Sequence, residues 1–135
     1  MIKKMNNSEI IARINGINKM QERDKANNLH LFGENMRVLY GIFKNKQTLI
    51  EHLKPYNDAL SSLVEECGVK FNDGDLGREI EVPEENKLKW VSSIDKLQKI
   101  IVDVPVFQVE LKDIEDANFT MEDFEIIGFM ISDPE

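Results

Sequence analysis

Leu39-Tyr40-Gly41-Ile42-Phe43-Lys44-Asn45-Lys46-Gln47-Thr48-Leu49-Ile50-Glu51-His52-Leu53-Lys54-Pro55-Tyr56-Asn57-Asp58-Ala59-Leu60-Ser61-Ser62-Leu63-Val64-Glu65-Glu66-Cys67 is the stretch that decides the fold. Apolar positions step by three and four through Leu39, Ile42, Leu49, Leu53, Tyr56, Leu60, Leu63 and Cys67, and only Lys46 interrupts them. Spacing of this regularity predicts a long helix that lays one stripe against another helix in coiled-coil style. Helical from Phe32 to Cys67, the segment would run roughly 55 Å at about 1.5 Å per residue, against roughly 37 Å across a sphere of this chain length. Pro55 removes an amide donor and crowds the preceding turn, so a kink or break is expected near His52 to Pro55, with Tyr56 fixing the turn. An elongated helical hairpin follows, closed by Gly68.

Upstream, Asn6 or Asn7 with Glu9 predicts a capped helix start, and Ile10, Ile14 and Ile17, with Ile11 and Met20 beside them, form its apolar stripe. Gly16 weakens that helix slightly, and Gln21 to Asn28 reads as its end and a connection, after which Leu29 to Phe32 lead into the long pattern. Downstream, Val69, Phe71, Ile80 and Val82 flank a polar turn from Asn72 to Gly77, which reads as a short β-hairpin or a loop. Pro83 with Glu84 and Glu85 opens a third helix whose buried side is expected to be Trp90, Ile94, Leu97 and Ile101, helped by Val91. Val102 to Leu111 is β-branched and alternating, hence a strand, with Pro105 best tolerated at an edge. Thr120 and Asp123 cap a last helix with Met121, Phe124, Ile127 and Ile131 on its apolar side. The expected fold is therefore α+β and mostly α: residues 1–68 a helical hairpin, 69–82 a loop or short hairpin, and 83–135 a helix, a strand and a short C-terminal helix. Its 135 residues suit one domain.

The net charge of −8 is unevenly spread. Residues 1–71 carry +3, residues 72–101 carry −2, and residues 102–135 set Lys112 against ten carboxylates. Either that acidic end folds back on the mildly basic helices or it faces a basic partner. The balance argues against direct nucleic-acid binding, although Arg37, Lys44, Lys46 and Lys54 cluster near Tyr40 and Phe43. No apolar run is long enough to span a membrane, and the opening residues lack the apolar core of a secretion signal.

The vocabulary of catalysis is thin. Cys67 is the single cysteine and continues the apolar seam, so it reads as a buried, inert thiol. His30 and His52 have no second ligand at metal spacing. Asp73 to Glu84 superficially matches a calcium loop, with Asp73 and Asp75 at its first and third positions and Glu84 at its twelfth. Arg78 stands where the sharp turn needs glycine, and Gly77 where an oxygen ligand belongs, so a solvated turn is the better reading. Phosphate-cradling glycine strings are absent. No enzyme activity, catalytic residue, cofactor or metal is expected.

At Leu39-Tyr40-Gly41-Ile42-Phe43-Lys44-Asn45 and Leu53-Lys54-Pro55-Tyr56-Asn57-Asp58-Ala59, the sequence resembles a family of small proteins of unknown function encoded by tailed phages and prophages of low-GC Gram-positive bacteria. The resemblance extends to a layout of short opening helix, long helix, polar loop, acidic end with a β-type run and a last helix. It implies a phage protein and no known reaction. The expected function is protein–protein contact, as a minor structural, assembly or accessory factor in the host cytoplasm or virion. The alternative is an acidic inhibitor of a host defence or nucleic-acid-handling protein, imitating DNA charge or blocking it directly. Candidate interaction residues are Leu49, Leu53, Tyr56, Leu60 and Leu63 on the seam, where exposure would favour a homo-oligomer, and Asp113, Glu115, Asp116, Glu122 and Asp123 in the acidic end.

Overall fold

The computed structural model describes residues 1–27, 35–74, 77–115 and 117–132. His30 and most of the stretch leading to Met36, Asp75 and Leu76, and Asp116 lie outside them. The chain is α+β and mostly α. Strand β1 (Ile2–Asn6) runs directly into helix α1 (Asn7–Asn27), followed by the long helix α2 (Met36–Cys67). A hairpin of β2 (Lys70–Gly74) and β3 (Gly77–Glu81) precedes helix α3 (Lys87–Lys99), strand β4 (Ile101–Pro105) and helix α4 (Met121–Ile127).

Capping chemistry marks the helix ends. The Glu9 N–H donates to Asn6 Oδ1 at 2.8 Å, which starts α1. Asn35 Oδ1 accepts from the N–H groups of Arg37 and Val38 at the start of α2. Gly68 adopts φ 64° and ends α2, where a side chain at Cβ would be strained. Helix α1 runs on through the polar stretch expected to end it. Gln21 to Ala26 are mostly good helix formers, and two of them are anchored: Gln21 accepts from Lys46 Nζ at 2.8 Å, and Arg23 reaches Asp123.

Helix α2 continues through Pro55, so of the kink or break expected there the break does not occur. Pro55 is exposed, so the carbonyl it leaves without a donor need not be buried dry, and the seam packs on both sides of it. That packing offsets the ~3 kcal/mol a mid-helix proline costs. At about 1.5 Å per residue α2 is roughly 48 Å long, α1 roughly 32 Å and α3 roughly 20 Å, so two helices placed end to end match its length. Ile42 and Leu49, with Leu53 at the margin, pack in the main core with Ile10, Ile14, Ile17 and Met20 of α1. Leu63 and Cys67 form a second cluster with Trp90, Ile94 and Leu97 of α3. Ile101 and Val91 are not part of that face; both are exposed, because the helix has ended before Ile101 and Val91 lies off the stripe.

The end of α3 meets the start of α1 beside Tyr56. Buried Asn7 donates from Nδ2 to the Leu97 carbonyl at 2.8 Å and from its backbone N–H to the Ile100 carbonyl at 3.2 Å. Antiparallel pairing of β1 with β4, Ile2 opposite Pro105 through Asn6 opposite Ile101, locks this joint. The strand expected from Val102 to Leu111 is shorter than its alternation suggests. Beyond Pro105 the chain leaves the ribbon, and Phe107 pairs with a side chain of α2: its N–H donates to Asn45 Oδ1 at 2.8 Å, and Asn45 Nδ2 donates to its carbonyl at 2.9 Å. Gly41, one turn earlier, makes room for this approach, since a Cβ there would stand 3.0 Å from Met130 Cε and 3.1 Å from the Phe107 ring.

Asn45 is buried and satisfies both backbone groups of Phe107. Asn45→Leu is expected to destabilise the protein by about 1–3 kcal/mol for each group left without a partner. Denaturant unfolding should show a lowered midpoint at unchanged slope.

Candidate interaction surfaces

Of the seam residues singled out as interaction candidates, Leu49, Leu53 and Leu63 belong to the chain's own core clusters. Leu49, Tyr56 and Leu63 are buried, and Leu53 and Leu60 are half-buried. What α2 turns outward is a different stripe. Met36, Tyr40, Phe43 and Ile50 are 71%, 56%, 56% and 49% exposed, and their spacing of four, three and seven places them on one side of the helix. The sequence carries that signal, but it runs one position out of step with the stronger seam and is masked by it. Around the stripe, Arg37 lies 3.7 Å from Asp113 and stacks over the Phe107 ring, Lys46 is bonded to Gln21, and Lys54 pairs with Asp58 at 2.8 Å.

The acidic residues divide. Asp123 is fully buried, contrary to any outward role, and both its carboxylate oxygens accept from Arg23 Nη2 at 2.5 Å. It also closes a reciprocal cap: the Thr120 N–H donates to Asp123 Oδ2 at 2.9 Å, and the Asp123 N–H donates to Thr120 Oγ1 at 3.2 Å. Burial pushes this carboxyl up, but the Arg23 guanidinium and the Thr120 donors outweigh it and hold it below its ordinary value. Asp113 is half-buried against Arg37 and caps the turn that begins after Glu110, whose N–H donates to Asp113 Oδ2 at 3.0 Å. Asp103 faces Lys4 across the ribbon at 3.4 Å. Glu115 is exposed. Glu122 and Glu125 share a hollow with Glu9 and Arg13, whose guanidinium lies 4.7 Å over the Phe129 ring. Burial pulls the Arg13 pKa down, with Glu9 opposing.

A cleft separates α2 from β4 and its approaches. One hollow of about 390 Å³ is lined by Pro55, Tyr56 and Ala59 of α2 and by Leu97, Ile100 and Val102. A second, of about 420 Å³, lies between Lys44 and Thr48 of α2 and Pro105 to Phe107. Glu51 and His52 line both. His52 Nδ1 lies 2.9 Å from the Thr48 carbonyl, to which it donates.

Elsewhere, Cys67 is a buried free thiol in the second cluster. Strands β2 and β3 pair antiparallel with Gly74 opposite Gly77, which places Asp73 and Gly77 to Glu81 of the calcium-like string in a two-stranded ladder, while its Asp75 lies outside the described residues. Among the described residues no three His, Cys, Asp or Glu side chains gather as a metal would require, and no helix is long and apolar enough to cross a membrane. Compared with known proteins, the chain matches no family model, no curated protein and no solved structure.

The Arg23–Asp123 pair predicts an acid limb of stability. Because the folded pKa of Asp123 is depressed, its contribution is present above the ordinary aspartate value of about 3.9 and is lost as pH falls through the lower folded value. Arg23→Met, which strands a buried carboxylate, is expected to cost about 3–5 kcal/mol at neutral pH. Asp123→Asn should cost less, since Arg23 reaches solvent, and should flatten the melting temperature against pH below about 4.

Proposed function

We propose that this chain works by contact with another protein, as a non-enzymatic structural, assembly or accessory factor of phage origin acting in the host cytoplasm or virion. The observation that carries the reading is the outward stripe of Met36, Tyr40, Phe43 and Ile50 on α2. Exposed aromatic and methionine side chains aligned on one helix face are the composition of a protein-binding surface rather than of a solvated one. The phage origin is supported by the Lys54-Pro55-Tyr56-Asn57 resemblance alone.

The acidic-inhibitor alternative draws less support, because Asp103, Asp113 and Asp123 are each engaged by a basic residue from the first third of the chain. Those pairings favour an acidic end that neutralises its own helices.

Affinity capture from infected cells followed by mass spectrometry tests the reading. The wild-type chain is expected to retain a specific partner, and Tyr40→Ser with Phe43→Ser is expected to lose it while melting within a few degrees of wild type. Capture unaffected by the double substitution would contradict the assignment of this face.

A further inference from the structure

The outward stripe of α2 has the spacing of a second seam. Met36, Tyr40, Phe43, Gln47, Ile50 and Lys54 succeed one another by four and three, the rhythm of helices that pack as a coiled coil. All six are exposed. They cover roughly 27 Å of helix at about 1.5 Å per residue.

The two flanks of this second seam differ. On one, Lys46 is bonded to Gln21 of α1, and Leu39 and Leu53 pack against the main core. On the other stand Arg37, Lys44 and Glu51, where α2 adjoins Pro105 to Phe107. These three are exposed and repeat at intervals of seven, so they form a row along the helix. Arg37 is held in that row by the Phe107 ring and by its Nη2, which donates to the Gln108 carbonyl at 3.1 Å. The charges run plus, plus, minus. Turned end for end about Lys44, the row sets Arg37 opposite Glu51 at both ends, so the face carries its own electrostatic complement. A parallel pairing would leave Arg37 and Glu51 two heptads apart, roughly 21 Å at about 1.5 Å per residue.

We propose that a second copy of this chain occupies the stripe, its α2 running antiparallel about a twofold axis beside Lys44. Tyr40 packs on the partner's Ile50, Phe43 on the partner's Gln47, and Met36 on the aliphatic stem of the partner's Lys54. Two pairs of Arg37 with the partner's Glu51 flank these layers and fix the register, while Lys44 meets the partner's Lys44, a like-charge contact that limits affinity. Taking about 150–250 Å² for an aromatic side chain, the exposed parts of Met36, Tyr40, Phe43 and Ile50 offer roughly 450 Å² per copy, about 900 Å² for the pair, the size of a weak and reversible interface. The inference rests on the reading of this stripe as a protein-binding face and names its occupant.

Sedimentation equilibrium of the full chain from about 1 μM to about 1 mM, the range of weak association, tests the pairing. A concentration-dependent dimer is expected, and Tyr40→Ser with Phe43→Ser should abolish it. Arg37→Glu alone and Glu51→Arg alone each set like charges opposite one another twice and should weaken the dimer roughly tenfold. An equimolar mixture of these two variants should restore it, since every facing pair is then of opposite sign. Lys44→Gln leaves the Arg37 contacts in place and should tighten the dimer about threefold, which keeps the test decisive if Arg37→Glu lowers the melting temperature. A monomer at every concentration, a dimer indifferent to Glu51→Arg and Lys44→Gln, or folded charge variants that fail to pair on mixing would each overturn the proposal. A monomeric wild type that still retains a different protein through Tyr40 and Phe43 would discard self-pairing and leave the interaction reading standing, whereas capture unaffected by Tyr40→Ser with Phe43→Ser would discard that reading itself.

Discussion

The length of α2 is the constraint on which the rest of the structure depends. A helix of 32 residues carrying one apolar seam cannot bury that seam against the 21 residues of α1 alone. The chain answers with two helices laid end to end, α1 over the first part and α3 over the last. Their junction is secured by the β1–β4 ribbon, because β1 feeds directly into α1 and α3 leads directly into β4. Asn7 sits at the meeting point and bonds both Leu97 and Ile100. On its other side β4 runs beside α2, and Asn45 bonds both backbone groups of Phe107 just beyond it.

Charge follows the same geometry. The basic groups Lys4, Arg23 and Arg37 belong to β1, α1 and α2, and each meets an acid from the last third of the sequence. The Arg23–Asp123 contact is the strongest of these structurally, because Asp123 is buried and simultaneously caps α4. Exposed pairs such as Lys4–Asp103 add little to stability in water. Their value lies in keeping the acidic end against the helical body.

Much of the helical framework was legible in the sequence, since periodicity and capping are local properties. The seam from Leu39 to Cys67, the Gly68 stop and the Thr120–Asp123 cap all reappear in the structure. Features that depend on distant partners were not. Strand β1 is five residues of mixed polarity and becomes a strand only because residues about a hundred positions later lie beside it. Pro55 suggested a break because local rules weigh the missing donor and not the packing on both sides. The sequence marks Asp123 as a cap residue and an acidic candidate, but its burial against Arg23, a hundred positions away, has no local signal. Asn45 carries no sequence signal of its role, because a carboxamide standing in for a strand is visible only once Phe107 is opposite it.

Strand β4 is half-paired: Val102 and Val104 bond β1, while Ile101 and Asp103 have no backbone partner among the described residues. Amide hydrogen exchange of the free protein, read residue by residue, tests it most directly. Strong protection of the Val102 and Val104 amides and near-unprotected exchange at Ile101 and Asp103 are expected. Equal protection at all four would contradict it.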